Sequence, residues 1–221
     1  AVSIGAALNG QGDISVGIIV GSNIFNLGFV LGGCALVRPI EASPKLVYRD
    51  GAVLFGVTIV LSLFLEDFRL SFSEGLSMLG VLTIYLTFLF RQKEVGVNEK
   101  SADVQAQTKS LMKDVGLLVL SLIAVIAGSE LLVMGATGIA RSFGLSDWLI
   151  GVTIIAAGTS APELVTSMTA VLKGKYGMSA GSLIGSDIYN LLGVLGVASM
   201  INPLQVDPIS RMSVYLLVLM V

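Results

Sequence analysis

The sequence predicts an all-α, polytopic membrane protein built from two inverted repeats. Three observations carry this reading. The first is composition: 54% of the 221 residues are hydrophobic and only 13% are charged, whereas soluble domains carry about a quarter charged residues. The second is a series of apolar runs, each close to the roughly 20 residues a helix needs to cross a bilayer. The third is an ungapped internal repeat.

Taken in order, spans are expected at 14–37, 46–65, 73–90, 115–140, 148–172 and 178–201. The end pieces 1–8 and 213–221 are too short to span. Between the spans, Lys and Arg sort unevenly. Ten fall on one side: Arg38, Lys45, Arg49, Arg91, Lys93, Lys100, Lys109, Lys113, Lys173 and Lys175. Three fall on the other: Arg69, Arg141 and Arg211. By the positive-inside rule the loops at 38–50, 91–114 and 173–177 are expected to be cytoplasmic. The 91–114 stretch, "RQKEVGVNEKSADVQAQTKSLMKD", is read as a solvated cytoplasmic loop between a first half (1–90) and a second half (115–221). A net charge of −2 suggests no nucleic-acid partner. The sole cysteine, Cys34, cannot form a disulfide within the chain. No signal peptide is read at Ala1.

"GSNIFNLGFVLG" (21–32) and "GSDIYNLLGVLG" (185–196) match at an offset of 164, and residues 1–44 align without gaps to 165–208. The identities include Ser, Asn, Gly and Pro in one register, which apolar composition alone would not produce. Ser186 lies five spans after Ser22, an odd number, so the two copies cross the membrane in opposite directions. Inverted repeats are the architecture of secondary transporters, with the binding site where the repeats meet near the midplane. The repeat partner of Glu163 would lie two residues before Ala1, and Val221 falls nine residues into an apolar run. The chain is therefore expected to be truncated at both ends, lacking a helix and a half at each.

The stretch "GTSAPELVTS" (158–167) places an acid inside an apolar span. Pro162 has no amide hydrogen and disfavours a helical Ala161, so the helix is expected to break there. The break should leave carbonyls around Ala156 unpaired. A new half-helix should begin at Pro162, with Thr159 and Ser160 as candidate caps. Glu163 then falls in the first turn, where the helix dipole favours a carboxylate. Carboxylate, hydroxyls and carbonyls form an all-oxygen set that suits Ca²⁺ or Na⁺ and not a transition metal; the chain has no histidine. Ser22 with Asn26, and Ser186 with Asn190, are each four apart on one helix face and offer further oxygens from both repeats. Asp187 sits beside that face. Glu130, also deep, is open between packing and a role in the site, and Ser3 and Ser167 are read as supporting groups. The pairs Gly17/Gly21, Gly28/Gly32 and Gly181/Gly185 are read as helix-packing faces.

At these residues the chain resembles the sodium/calcium exchanger family of the cation:Ca²⁺ antiporter superfamily. "GTSAPELVTS" with "GSDIYN" is similar to the second α-repeat, and "SIGAALNGQG" with "GSNIFN" to the first without its leading turn. The resemblance implies ten helices in the intact protein, a central cytoplasmic loop, no cofactor, and alternating access with Na⁺ and Ca²⁺ sharing sites. It implies Glu163 as a central ligand, joined by Thr159, Ser160, the Ala156 carbonyl, Ser22, Asn26, Ser186 and Asn190. The GTS-x-PE turn favours Na⁺ coupling over the GN-x-PE type of proton-coupled exchangers. Asn190, where potassium-dependent relatives carry Asp, argues against K⁺ cotransport. The competing readings are an H⁺/Ca²⁺ antiporter, a cation channel and a non-transporting membrane scaffold. Catalysis is not suggested, because no nucleophile–base pair, phosphate loop or His/Cys metal site is visible.

Overall fold

A computed structural model describes residues 2–40, 42–91, 111–145 and 147–221; the greater part of the expected cytoplasmic loop lies outside the described residues. Among the described residues the regular structure is helical apart from one short ribbon. Its helices are α1 (Val2–Leu8), α2 (Gly12–Val37), α3 (Leu46–Asp67), α4 (Phe72–Arg91), α5 (Leu111–Ser142), α6 (147–159), α7 (Ala161–Leu172), α8 (Tyr176–Ile201) and α9 (Pro208–Met220). Among the described residues five helices are long and apolar enough to cross a membrane: α2, α3, α4, α5 and α8. The remaining expected span, 148–172, is present as two pieces, α6 and α7, that meet at Ser160.

The duplication seen in the sequence is a duplication of backbone. Adding 164 to the start of α2, Gly12, gives the start of α8, Tyr176. The residues before them, Gln11 and Lys175, share φ −96° with ψ 62° and 61°. Gly10 and Gly174 end α1 and α7 with φ 73° and 74°, left-handed values that favour glycine. Each ending carries the same pair of bonds: Gly10 and Gln11 amides to the Ala7 and Ala6 carbonyls, Gly174 and Lys175 amides to those of Val171 and Ala170. Each long helix then widens into one π-helical turn at its conserved-register asparagine, Asn26–Leu31 in α2 and Asn190–Val194 in α8.

The main core lies where α2, α3, α4, α8 and α9 meet, around Val16, Val20, Leu54, Leu61, Met78, Leu191, Leu195 and Leu217. A smaller cluster of Val30, Cys34, Val171 and Leu183 joins α2 and α8 to α7. Outward faces stay apolar, with Ile84 and Phe90 on α4 and Leu117, Leu120 and Leu131 on α5 exposed. Those faces have a natural solvent in lipid tails, where helix pairing depends on close backbone approach and not on apolar burial. One of the expected glycines, Gly28, makes a close approach, a Cβ there lying 3.0 Å from Met220, and closer ones occur at glycines outside the expected pairs. A Cβ on Gly75 would overlap Ser199 Oγ, and one on Gly158 would overlap Val133. Gly32 and Gly185 have nothing within 4 Å of a built Cβ. A period of four marks a small-residue face but not the helix that uses it.

One end of the bundle gathers the chain segments that alternation assigns to a single side. Arg69–Leu70 pairs antiparallel with Leu204–Gln205, and Asp13 Oδ1 accepts hydrogen bonds from the Asp207 amide and the Ser210 hydroxyl. Arg49 and Asp50, sorted with the loops by sequence, lie in the first turns of α3, where Arg49 Nε sits 2.8 Å from Asp50 Oδ1. The Tyr85 hydroxyl donates to the same carboxylate from α4 at 2.9 Å.

Candidate ion-binding site

The break before Glu163 forms as expected but with its parts shifted by one or two residues. Ala161 is helical and opens α7; the bent residue is Ser160, at φ −93° and ψ 1°. Proline at the second position tolerates this, since its missing amide hydrogen is one that a helix start leaves unpaired anyway. Ser160 occupies the cap position without a side-chain cap bond; its hydroxyl crosses to the Ser22 carbonyl of the other repeat at 3.3 Å. The Ala156 carbonyl is not left unpaired. It accepts the Thr159 hydroxyl at 2.8 Å and the Ser160 amide at 3.2 Å. The break is tight enough for the helix end to close on itself, so the carbonyl oxygens the sequence reading counted on are engaged.

Glu163, in the first turn of α7, accepts the Ser186 hydroxyl on Oε1 at 3.1 Å. Its Oε2 is buried without a hydrogen-bond partner, an arrangement that costs free energy unless something positive faces it. Glu163 lines a cavity of about 590 Å³ with Ser22, Thr159, Ser160 and Asn190, and with Ser3, Ser129 and Glu130; the rest of the wall is largely apolar, from residues such as Ile18, Ile126, Val133 and Met134. Five of the eight residues singled out by sequence thus face one space. Ser186 reaches it through Glu163. Asn26 is fully buried and does not line it, and Ala156 stands behind Thr159. Glu130, on α5, faces the cavity. Ser22 spends its hydroxyl hydrogen on the Ile19 carbonyl at 2.9 Å, which leaves the oxygen lone pairs as its contribution. Ser167, expected to support the site, is buried and its hydroxyl has no partner.

Sequence reasoning missed Asn23 and left Asp187 aside. Asn26 Nδ2 donates to Asp187 Oδ1 at 2.8 Å, Asn190 Nδ2 to Asn23 Oδ1 at 3.2 Å, and Asn23 Nδ2 to the Asp187 carbonyl at 3.2 Å. Asn23 and Asp187 are repeat partners, as are Asn26 and Asn190. The first two bonds are therefore one bond seen twice, related by the exchange of repeats that a two-fold axis between them produces. The available signal was the offset itself, which pairs Asn23 with Asp187. Among the described residues no group of three His, Cys, Asp or Glu side chains gathers; the oxygens here come mainly from hydroxyls and amides, which suit hard cations.

A helix broken beside a buried acid, an inverted duplication and a cavity between the repeats that the acid, hydroxyls and an amide help to line define a helical membrane transporter of the antiporter class. The model of the family described as "Sodium/calcium exchanger protein" matches residues 1–91 and 113–221, and the chain belongs to that family, one of transporters and not of enzymes. It is 40% identical, over 93% of its length and 66% of the relative's, to "Putative antiporter CaxA" of Alkalimonas amylolytica. It is 33% identical, over its whole length and 70% of the relative's, to "Inner membrane protein YrbG" of Escherichia coli (strain K12). The sodium/calcium exchanger MaX1 of Methanosarcina acetivorans is 28% identical over 95% of this chain and 71% of its own. Among solved structures, the sodium–calcium exchanger NCX_Mj soaked with Na⁺ and Sr²⁺ superposes with a TM-score of 0.79 at 32% identity, covering 99% of this chain and 70% of that one. The chain thus spans about two thirds of the length of these relatives.

Proposed function

We propose that this chain is the ion-binding core of an antiporter that exchanges Na⁺ for Ca²⁺ across the cell membrane by alternating access. The observation that carries the reading is Glu163: a carboxylate with one unpartnered buried oxygen, at a helix break, facing hydroxyls and an amide from both repeats. Ca²⁺ takes about 6–8 oxygens, carboxylates among them, and an acid at membrane depth is costly unless it has a partner. Ion ligands are Glu163, Thr159, Ser160, Ser22, Ser186 and Asn190; Asn26, whose buried Oδ1 has no partner but lies outside the cavity lining, joins them once a bound ion draws it in, as does the Ala156 carbonyl once Thr159 releases it. The solved relative NCX_Mj supports the choice of ions, being a sodium–calcium exchanger, as is MaX1.

Coupling is read from flux. In liposomes containing the full-length protein, Ca²⁺ uptake is expected to follow an outward Na⁺ gradient, to stop when that gradient is collapsed, and to be indifferent to a protonophore. Uptake driven by a pH gradient without Na⁺ assigns an H⁺/Ca²⁺ antiporter instead, and Ca²⁺ flux that needs no counter-ion assigns a channel.

Orientation is proposed from the ten basic residues on the side of the 91–114 loop against three on the other. A cysteine introduced at Ser101, in a protein whose Cys34 has been replaced by alanine, is expected to react with an impermeant maleimide only after the cytoplasmic face is exposed. Labelling in intact cells reverses the assignment.

A further inference from the structure

The hydrogen bonds between the repeats have a direction, and it reaches the ion site. A main-chain carbonyl can only accept, so the bond from Asn23 to the Asp187 carbonyl fixes which end of the Asn23 carboxamide is nitrogen. Its oxygen then faces Asn190 and must accept, so Asn190 presents its nitrogen there. The atom left over on Asn190 is its oxygen, and Asn190 lines the cavity. In the other half, Asp187 Oδ1 accepts from Asn26 Nδ2 and again the oxygen is left over: Asn26 Oδ1 is buried with no partner. Asn23, Asn26 and Asp187 are all fully buried, so no bulk water competes for these bonds. Without them either carboxamide could turn over and aim an N–H at a cation.

We propose that Asn23 and Asp187 are positioning residues, which hold the carboxamides of Asn190 and Asn26 with their oxygens committed to the transported ion. The two halves are unequal by one atom. Where the first repeat has the amide Asn23, the second has the acid Asp187, whose carboxylate offers Asn26 only acceptors when ionised and whose Oδ2 has no partner. Partners that orient metal ligands in this way are worth about 10–100-fold in affinity. The inference rests on the ion site proposed above.

The test is a double-mutant cycle on the full-length protein in liposomes, read as the KM for Ca²⁺ in Na⁺-driven uptake. Asp187→Ala and Asn26→Ala are each expected to raise KM about tenfold, with the maximal rate within about twofold. The double variant should be no worse than Asn26→Ala alone, because Asp187 acts through Asn26. Asp187→Asn keeps an accepting oxygen and is expected to stay within about threefold of the parent. Losses that multiply to about a hundredfold overturn the inference, as does Asp187→Asn being as impaired as Asp187→Ala, which would make the charge itself the active feature. The mirror cycle, Asn23→Ala with Asn190→Ala, carries the same expectations and decides the matter should Asp187→Ala fail to fold. If Asn26→Ala and Asn190→Ala both leave KM unchanged, the ion site is wrong, and the positioning role falls with it.

Discussion

Replacing Glu163 by Gln in the full-length protein is expected to abolish Ca²⁺ exchange while leaving the ion-free protein at least as stable as the parent. The substitution keeps Oε1 as an acceptor for Ser186 and keeps the volume at the start of α7. What it removes is the charge facing the cavity. Leaving one partner of a buried charge pair without the other costs about 3–5 kcal/mol, which is about 100-fold or more in affinity. In the empty site the same charge is a liability: Oε2 has no hydrogen-bond partner, an ionised acid at membrane depth costs about 3 kcal/mol, and although the amide nitrogen inherits the unpartnered position it carries no charge. Two measurements separate the effects. Isotopic Ca²⁺ uptake should fall to background, and the rise in unfolding temperature that added Ca²⁺ gives the parent should vanish. In the parent, Na⁺ should compete for that rise. Near-parental exchange by Glu163→Gln would make Glu163 a structural acid and sink the site.

Gly75→Val is the largest expected loss of stability outside the site. A Cβ at Gly75 on α4 would overlap Ser199 Oγ and lie 2.7 Å from the Gly196 carbonyl oxygen on α8. The serine can turn, but the carbonyl belongs to a helix and cannot. Overpacking of this kind costs about 1–3 kcal/mol, and the upper end applies because backbone must move; for a chain of this size that is about 6–12 °C in unfolding temperature. Gly80→Val on the same helix is the control, since nothing lies within 4 Å of a Cβ there. Ser199→Gly should restore only part of the loss, because the carbonyl contact survives. Equal melting of the Gly75 and Gly80 variants in detergent would refute the close crossing of α4 and α8.

The sequence by itself determined the class of this protein. Span positions follow from apolar length, because a bilayer sets a minimum run of residues that is counted directly. The repeat follows from identity in register, and the copies agree to the left-handed glycines at 10 and 174 and the π-helical turns at 26 and 190. Pro162 announced the break that puts Glu163 in a first turn, because proline acts on its own neighbours. These are local causes with local consequences. Tertiary structure decided everything that depends on which surface meets which. That the Ala156 carbonyl is occupied depends on how tightly the chain turns at Ser160. That Gly75 and Gly158, and not Gly32 or Gly185, carry the close approaches depends on where helices cross. Asn23 and Asp187 read as neighbours of a motif until the fold set them against Asn190 and Asn26. A hydrogen bond between residues about 160 positions apart leaves no trace in either segment's composition; only the two-fold relation between the repeats, once folded, makes one the other's partner.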